Sequence, residues 1–406
     1  MTAGSPSSRL GELLAGWRTL VGATLGASVG VHVLPFYTAG LFMVALETEK
    51  GWSRSAISLG ASFFALGLGL AGPVVGALCD RYGDRRVIIP GLVFQIAALI
   101  ALSRLETLTA FYLLMSGMAL LGAGSGALGY ARIINRRFHA SKGTAMGLMI
   151  TGTAACSALA PIAVQAVISS HGWRAGYLSI AAAVVVVGPL ALLLLRGDVA
   201  AVRDASAALP LRYADLVRDR TFRLLAGAIF LASLAVPGVI THLAGILKDG
   251  GIGPASAALM LGLVGLAQIF ARLGTGMLAD RFFAPRVAAT IFALSALGFA
   301  IFGLFGAPVA VIGALAAGLA YGAEADLLGY LVGRYFPPDQ FGRVFGLLCT
   351  VFFAGSALSP LWYGWSVDHF GGYHVGLAGA SMALLLSALT FLRMPAFGPR
   401  HSLHRR

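Results

Sequence analysis

A repeat half a chain apart is the feature that most constrains this sequence. The segment 76–81, GALCDR, returns as GMLADR at 276–281 in a chain of 406 residues. Each copy ends a long apolar run and is soon followed by arginine and valine, at 86–87 and 286–287. Two fused copies of one membrane bundle produce this pattern, which is typical of proteins that open alternately to the two sides of a membrane.

The composition places the chain in lipid. Hydrophobic residues make up 58% of it and charged residues 11%, with a mean hydropathy of +0.86, far from the values of a soluble domain. The apolar runs are about 20 residues long, enough to cross a bilayer, and are helical because lipid offers the backbone no hydrogen-bond partners. The sequence predicts an all-α integral membrane protein with twelve transmembrane helices, at 17–45, 54–79, 87–103, 108–134, 143–169, 174–195, 222–247, 254–279, 287–306, 309–333, 343–367 and 373–392.

The positions of lysine and arginine indicate the orientation. Of the 29 basic residues, the loops on one side carry only Lys50, Arg54, Arg104, Arg174 and Lys248. Apart from Arg132 and Arg272, which fall inside helices, the others lie on the opposite side with both termini. By the positive-inside rule, we expect both termini in the cytoplasm. The net charge of +13 then reflects topology and needs no nucleic-acid partner.

The longest polar break predicts how the chain divides. Residues 196–221 mix arginine and aspartate, so we expect a solvated cytoplasmic linker that contains a surface helix. An N-terminal six-helix bundle is expected over 1–195, and a C-terminal six-helix bundle with a short cytoplasmic tail over 222–406. Arginine greatly outnumbers lysine and the loops are short, which favours a bacterial source and an inner-membrane location.

One motif carries a family resemblance. The segment 76–86, GALCDRYGDRR, matches the signature that the major facilitator superfamily has between its second and third helices. In motif, motif position, repeat and number of spans, the chain resembles that superfamily over nearly its whole length. The resemblance implies the major facilitator fold, in which two pseudo-symmetric six-helix bundles surround one central site.

Within the superfamily the chain is most similar to the monocarboxylate transporter branch, which includes oxalate–formate exchangers. The features are Pro35 in helix 1, the segment 142–147 (KGTAMG) opening helix 5, Arg272 in helix 8, and the segment 368–373 (DHFGGY) before helix 12. Three positions depart from the branch. Phe36 stands where a lysine often follows the helix-1 proline, and Gln268 stands where an acid often precedes the arginine. Helix 11 lacks the lysine that oxalate exchangers carry.

Arg272 is the first candidate for substrate binding. It lies 18 residues into helix 8, and a charge inside a bilayer costs several kcal/mol unless it is paired or hydrated. A guanidinium presents a fork of donors that matches a carboxylate. We therefore expect Arg272 to anchor a carboxylate substrate. The alternative is a structural ion pair with an acid on a neighbouring helix.

Two carboxylates near the middle of helix 10, Glu324 and Asp326, are candidates for proton coupling. Residues two apart on a helix point about 200° apart, so one is expected to face the cavity and the other to pack between helices. A carboxyl group in a low-dielectric site is biased towards its neutral form, which suits a proton carrier. The alternative is a fixed partner for Arg272 or Arg132.

The remaining polar candidates inside helices are weaker. His32 in helix 1 and His242 in helix 7 could bind substrate or titrate, and we interpret His242 as a packing residue and leave both roles open for His32. Tyr37, Tyr130 and Gln268 are polar candidates for the cavity wall.

Charged residues at the helix ends predict a gate. The repeated pairs Asp80-Arg81 and Asp280-Arg281 and the nearby residues Arg86 and Arg132 are interpreted as ion pairs between helices. Such pairs would hold the outward-open state and break when the cytoplasmic side opens. For Arg132 the alternatives are snorkelling to the lipid headgroups and contact with substrate. Glycines at 22, 26 and 30, and at 72 and 76, are predicted to form close-packing helix faces.

Together these patterns predict a secondary transporter that acts as a functional monomer in the bilayer, with no enzymatic activity, cofactor or metal. It moves a small organic anion held by Arg272, with proton coupling through Glu324 or Asp326. The alternative is efflux of a cationic or amphipathic compound, with Glu324 or Asp326 as the partner of the cation. A membrane sensor without flux is a further alternative, although it would usually carry a soluble signalling domain and none is seen in the sequence.

Overall fold

The computed structural model describes residues 9–195, 213–337 and 340–397, and within them the chain is built from α-helices without a β-strand. The helices are α1 Arg9–Ala15, α2 Trp17–Ser28, α3 Leu34–Lys50, α4 Arg54–Tyr82, α5 Asp84–Leu102, α6 Leu108–Gly122, α7 Ala127–Arg137, α8 Lys142–Leu194, α9 Tyr213–Arg218, α10 Arg220–Asp249, α11 Pro254–Arg281, α12 Ala284–Phe305, α13 Ala310–Tyr335, α14 Phe341–Phe370 and α15 His374–Leu392. Single 3-10 turns at Ala123–Ser125 and Ala307–Val309 precede α7 and α13.

The helices account for twelve membrane crossings. Ten helical segments of the described chain are long and apolar enough to cross a membrane, with α6 and α7 together forming one of them. One of the ten, α8, has 53 residues and bends at Gly172, where φ is 81° and ψ is 169°, so it supplies two crossings. The first crossing is divided between α2 and α3, which are too short to span alone. The prediction of an all-α membrane protein is confirmed. The first predicted transmembrane helix, 17–45, is however broken in its middle, between α2 and α3.

An even number of crossings brings the first and last described residues, Arg9 and Phe397, to one face. We call this the terminal face; it contains the loops at 83, 138–141 and 282–283. The opposite, distal face contains the loops at 51–53, 103–107, 250–253 and 371–373. Most of the predicted linker, 196–212, lies outside the described residues, and its end at 213–218 forms the short helix α9. The predicted bundle boundaries stay a prediction.

The first six and last six crossings pack tightly on the distal side of the midplane. Helix α4 lies against α14, α3 against α10, and α8 against α11. Glycines permit this approach: a Cβ on Gly40 would lie 2.6 Å from the carbonyl oxygen of Thr241, and one on Gly364 would lie 2.8 Å from the Cα of Ser55. The described structure is therefore closed at its distal face.

The same helices part towards the terminal face. Eight glycines in the terminal halves of α4, α8, α11 and α14 would have no described atom within 4 Å of an added Cβ: Gly72, Gly76, Gly143, Gly147, Gly274, Gly276, Gly342 and Gly346. The predicted packing face at Gly72 and Gly76 thus has no partner among the described residues in this conformation. The predicted face at Gly22, Gly26 and Gly30 does pack, since a Cβ there would lie within 3 Å of another residue. Within the described residues, the two halves are therefore apart at the terminal face.

Candidate substrate site and its gates

Two interrupted crossings meet in the middle of the first half. Pro35 opens α3 after the break that follows α2, and a 3-10 turn separates α6 from α7. Three hydrogen bonds join the breaks: Gln95 Nε2 donates to the carbonyl of Val29 at 2.9 Å, Ser125 Oγ donates to Gln95 Oε1 at 2.6 Å, and the amide of Val31 donates to Ser125 Oγ at 3.2 Å. Interrupted helices near the midplane are where transporters of this architecture bind substrate.

His32 and Tyr130 lie beside these breaks. His32 is in the α2–α3 break, and its Nδ1 atom is buried without a hydrogen-bond partner in the described chain. Tyr130 on α7 is completely buried, and its ring is so close to α2 that a Cβ on Gly26 would lie 2.3 Å from it. The Tyr130 hydroxyl also has no partner among the described residues. Tyr130 therefore packs two helices together, whereas His32 borders a cavity.

Arg272 forms an ion pair with an acid of the neighbouring helix. Its Nη1 atom donates to Asp326 Oδ1 at 2.9 Å, and the two side chains are 21% and 31% exposed. The Nε atom of Arg272 is buried and has no partner in the described residues. The Nη1 atom of Arg272 is thus in an ion pair, as the structural interpretation expects. Its Nε atom is a donor without a described partner, as the interpretation of Arg272 as a substrate anchor requires.

Glu324 has a different environment from Asp326. Its residue is 1% exposed, and neither carboxylate oxygen has a hydrogen-bond partner among the described residues. An ionised carboxylate without a partner is unstable in such a setting. Glu324 is thus packed between helices, whereas Asp326 is paired with Arg272 and partly exposed. The expectation that one acid of the pair faces the cavity stays a prediction.

An aromatic cluster of Phe36, Tyr37 and Tyr321 connects the two halves. The rings of Phe36 and Tyr321 stack with centroids 5.5 Å apart, and Tyr37 meets Tyr321 edge-on at 6.3 Å. The Tyr37 hydroxyl donates to Gln268 Oε1 at 2.8 Å, across the interface between α3 and α11. The amide nitrogen of Gln268 is buried and unpartnered within the described part of the chain, one helical turn from Arg272.

His242 is a fully buried residue where α10, α4 and α14 meet the loop before α15. Its Nε2 atom lies 2.9 Å from Ser58 Oγ and 3.0 Å from the carbonyl oxygen of Pro360, and its Nδ1 atom lies 3.1 Å from the hydroxyl of Tyr373. Both ring nitrogens have partners from α4, α14 and the loop before α15. This geometry agrees with the interpretation of His242 as a satisfied packing residue.

The predicted gate charges at the terminal face pair within one half. Arg132 on α7 contacts Asp80 and donates from Nε to Asp84 Oδ1 at 2.8 Å, and Arg136 Nη1 donates to Asp84 Oδ2 at 2.7 Å. Asp84 is 3% exposed and was not among the predicted gate residues. These bonds join α4, α5 and α7, so they do not connect the two halves in the described conformation.

The other predicted gate residues are exposed at the terminal face. Arg81 places its guanidinium 5.2 Å from the ring centroid of Tyr82. Among the residues that the structure describes, Arg86, Asp280 and Arg281 have no ion-pair partner. Their gate role remains a prediction about the conformation in which this face closes.

A charge network at the distal face was missed by sequence reasoning. We call it the distal clamp: Arg54, Glu47, Asp249, Lys248 and Tyr373. Arg54 donates to Glu47 at 2.8 Å, to Asp249 at 2.5 Å and to the hydroxyl of Tyr373 at 2.9 Å. Lys248 reaches Glu47 at 3.2 Å. The clamp joins helices of both halves, and in the sequence its members appear only as charges at helix ends.

Two further carboxylates outside the membrane, those of Glu106 and Glu12, form bonds that fix loops. At the distal face Lys50 donates to Glu106 at 2.5 Å, which holds the pKa of Glu106 below its usual value. At the terminal face Glu12 accepts hydrogen bonds from the amides of His139 and Ser141, both at 2.7 Å. These bonds, with the amide of His139 contributing most, lower the pKa of Glu12 to about 2.

Comparison with known proteins identifies the family. A model described as Major Facilitator Superfamily matches residues 25–360 and again 224–405. The chain belongs to this superfamily. Human monocarboxylate transporter 11 is 30% identical over 407 residues, covering 94% of this chain and 83% of the relative. Monocarboxylate transporter 13 of Bos taurus is 25% identical over 393 residues, covering 94% and 90%.

Solved structures give the same fold. A D-xylose–proton symporter superposes with a TM-score of 0.70 at 16% identity, covering 97% of this chain and 98% of the other. A peptide transporter superposes with a TM-score of 0.75 at 13% identity, covering 93% of each. The family model and the named relatives confirm the resemblance to the superfamily and its monocarboxylate branch. The protein is a multi-pass membrane transporter of small organic substrates and not an enzyme.

Proposed function

We propose that the protein moves a small carboxylate across the membrane by alternating access, with Arg272 as the carboxylate ligand. The observation that carries the proposal is a pair of buried donors without partners in the described chain: Arg272 Nε and Gln268 Nε2. They lie four residues apart, so they share one face of α11. Buried donors are normally bonded, and a carboxylate is the acceptor that suits a guanidinium and an amide together.

We further propose that a proton enters with the carboxylate through Asp326. Arg272 carries one positive charge, which Asp326 balances in the described conformation. When the carboxylate of the substrate binds Arg272, its negative charge neutralises the guanidinium in place of Asp326. The carboxylate of Asp326 then lies beside a second anion. Taking up a proton removes this repulsion, so one proton accompanies one carboxylate. Homologues named monocarboxylate transporters support the choice of substrate class.

We place the terminal face in the cytoplasm of a bacterial inner membrane, following the positive-inside rule. The conformation described here is then inward-open, and the protein works as a monomer. The two halves rock about the central site, so that the distal clamp opens as the terminal face closes.

The experiment is uptake of radiolabelled acetate and larger monocarboxylates into vesicles that contain the purified protein, with and without an inward proton gradient. Arg272→Gln should abolish uptake. Arg104→Gln, which removes the same charge from the distal loop after α5, should leave it intact. Uptake by the Arg272→Gln variant at the wild-type rate would contradict the proposal.

One observation favours a second candidate, the efflux of a cation. Glu324 is a buried carboxyl group that has no partner among the described residues, and a cationic substrate would supply one. In that case vesicles containing Arg272→Gln would still transport tetraphenylphosphonium, whereas those containing Glu324→Gln would not. Loss of carboxylate uptake in Arg272→Gln, with no tetraphenylphosphonium transport by the wild type, would dismiss this candidate.

A further inference from the structure

The hydrogen bonds of His242 fix the state of one ring nitrogen. His242 lies on α10, seven residues before the distal end of that helix, and is fully buried. Its Nε2 atom contacts the carbonyl oxygen of Pro360 and the hydroxyl of Ser58, and that hydroxyl donates its own hydrogen to the carbonyl of Arg54 at 2.6 Å. Both partners of Nε2 therefore accept, so Nε2 carries a hydrogen.

The other ring nitrogen, Nδ1, carries no hydrogen. It lies 3.1 Å from the oxygen of the Tyr373 hydroxyl. That oxygen already accepts a hydrogen bond from Arg54 Nη1 at 2.9 Å, so the hydroxyl directs its hydrogen to Nδ1, the acceptor within its reach in the described chain. An imidazole with a hydrogen on Nε2 alone is neutral. The bonds around His242 thus satisfy the neutral ring completely.

A second hydrogen on the ring does not fit this arrangement. With Nδ1 protonated, the Tyr373 oxygen would face donors from His242 and Arg54 at once, and its own hydrogen would have no acceptor among the described residues. The positive ring would also stand one hydroxyl group away from the Arg54 guanidinium, in a site that water does not reach. Like charges repel strongly where water is excluded. The closed distal face therefore excludes the protonated form of His242.

The other groups around His242 carry little net charge. The ring of Tyr363 on α14 stacks against it with centroids 5.8 Å apart and is neutral. Asp368, near the distal end of α14, accepts a hydrogen bond from the amide of Ser55 at 3.3 Å, but it is exposed and solvent screens its charge. Within the distal clamp the two acids balance the two bases. Among the described residues, no buried acid is thus in position to pair with a protonated ring.

Opening of the distal face changes the surroundings of His242. Ser58 and Arg54 belong to the first half, whereas His242 and Tyr373 belong to the second. When the halves separate on this side, the bonds to Ser58 and Arg54 break and water enters between α4 and α10. The hydroxyl of Tyr373 can then turn to water, which leaves Nδ1 free to take a proton. A histidine in water gains its charge between about pH 8 and about pH 5.

We propose that His242 is the proton-binding site of the distal gate, loaded only while that gate is open. A hydronium ion of the distal solution gives its proton to Nδ1, and the proton returns to the solution before the gate closes. A ligand that binds one of two conformations shifts the molecule towards that conformation. Acid on the distal side should therefore hold the distal face open. This inference rests on the alternating access of the proposed function, but on neither its substrate nor the role of Asp326.

The test measures how far the distal face opens at different pH values in the absence of substrate. Spin labels on the distal loops at 103–107 and 306–309 report the distance between the halves of the protein in lipid nanodiscs. From about pH 8 to about pH 5.5 the ratio of long to short distances should rise several-fold, with a limit of about tenfold per pH unit for one proton. A ratio that stays constant over this range in the wild type would overturn the inference.

His242→Gln separates this site from the acids of the distal clamp. The glutamine amide can still donate to the acceptors of Nε2 but does not titrate, so the ratio should no longer depend on pH. His171→Gln is the matched control, because His171 is an exposed histidine at the distal bend of α8 whose ring contacts Ser170 of the same half. It should keep the full pH response. A response that survives in His242→Gln would assign it to the clamp acids and overturn the inference.

Ser58→Ala distinguishes titration from packing. It removes one bond between the halves and leaves the ring of His242 intact. The ratio should therefore shift towards long distances at every pH and keep its pH dependence. Loss of the pH dependence in Ser58→Ala as well would attribute the effect to packing of the gate and overturn the assignment to His242.

Arg54→Gln separates the inference from the proposed function. It removes the main bond between the halves at the distal face, so it should lengthen the distances in its own right. If it does so while the wild type does not respond to pH, alternating access stands and the role of His242 is wrong. If neither Arg54→Gln nor pH changes the distances, the rocking of the two halves is itself contradicted.

Discussion

Arg54 at the start of α4 donates two hydrogen bonds to Asp249 at the end of α10, at 2.5 Å and 2.7 Å. The two residues belong to opposite halves of the molecule. Arg54 is only 5% exposed, so its charge depends on Asp249, Glu47 and Tyr373 for solvation. Opening of the distal face must separate this pair.

The first prediction concerns this pair. Arg54→Gln should shift the resting population towards the distally open state, because the pair stabilises only the closed state. We expect distance measurements between spin labels on the distal loops at 103–107 and 306–309 to show a larger fraction of long distances. A hydrogen bond between charged groups contributes about 1.5–3 kcal/mol, enough to change a population ratio by tenfold or more.

Arg174→Gln is the control for this prediction. Arg174 also forms an ion pair at the distal face, with Glu49 at 2.6 Å, but both residues lie in the first half and are nearly half exposed. The same charge is lost without any bond between the halves. If Arg174→Gln shifts the distances as much as Arg54→Gln does, the effect is one of surface charge and not of the clamp.

The second prediction tests how Arg272 binds. Arg272→Lys keeps the positive charge but replaces the planar fork of donors by a single ammonium group. Carboxylate affinity, measured by calorimetry, should fall roughly 10- to 100-fold, in keeping with the loss of one charge-assisted hydrogen bond of about 1.5–3 kcal/mol. Unchanged affinity would mean that Arg272 acts only as a charge or only in its pair with Asp326.

The third prediction separates Asp326 from Glu324. Asp326→Asn should abolish uptake driven by a pH gradient but keep exchange of carboxylate across a membrane without a gradient, because the substrate itself balances Arg272. Glu324→Gln should keep both activities, because the amide of the glutamine is uncharged and has nearly the shape of a neutral carboxyl group. Reconstituted vesicles measure the two activities separately.

Other results of this experiment would reassign the roles. If Asp326→Asn loses folding and exchange together, Asp326 is a structural partner of a buried charge. If Glu324→Gln alone loses gradient-driven uptake, Glu324 carries the proton. If both variants accumulate substrate normally, neither acid couples the proton and His32 becomes the candidate.

The fourth prediction uses Glu12, whose pKa of about 2 lies below its usual 4.5 in the undocked chain. A carboxyl group with a lowered pKa in the folded state contributes stability above the unfolded pKa and loses it as the pH falls to about 2. Docking of α1 on the loop at 138–141 should therefore persist at pH 5 and weaken below about pH 4.

Limited proteolysis near residue 15 would report the undocking. Glu12→Gln should remove the pH dependence, and proteolysis that varies equally with pH in that variant would exclude Glu12 as its cause.

The sequence predicted the fold well because apolar length and charge placement act locally. It also put Arg272 and Asp326 among the candidates, since any charge in a membrane span is conspicuous. It did not predict the partners. Tyr37 and Gln268 were separate candidates, and nothing in their positions indicated a bond between residues 231 apart. Arg54 and Asp249 appeared to be ordinary charges at helix ends, because only the packing of the two halves brings them together.

The break in the first crossing was missed for a related reason. Residues 29–33 are apolar enough to continue a helix, and Gly30 and Pro35 were the only local signs of an interruption. The break depends on Gln95 and Ser125, which supply hydrogen-bond partners for the freed backbone from two other helices. Such compensation is a property of the folded bundle and leaves no local pattern.

The eight glycines with empty surroundings at the terminal face have a thermodynamic meaning. A glycine inside a helix costs about 0.5–1 kcal/mol relative to alanine, and here no described residue uses the space that its missing side chain leaves. The compensation must then come from another conformation, in which these backbones touch. Each face would then close on bare backbone, at Gly40 and Gly364 on the distal side and at these eight glycines on the terminal side. A single added methyl group should therefore hold one face open without affecting the other.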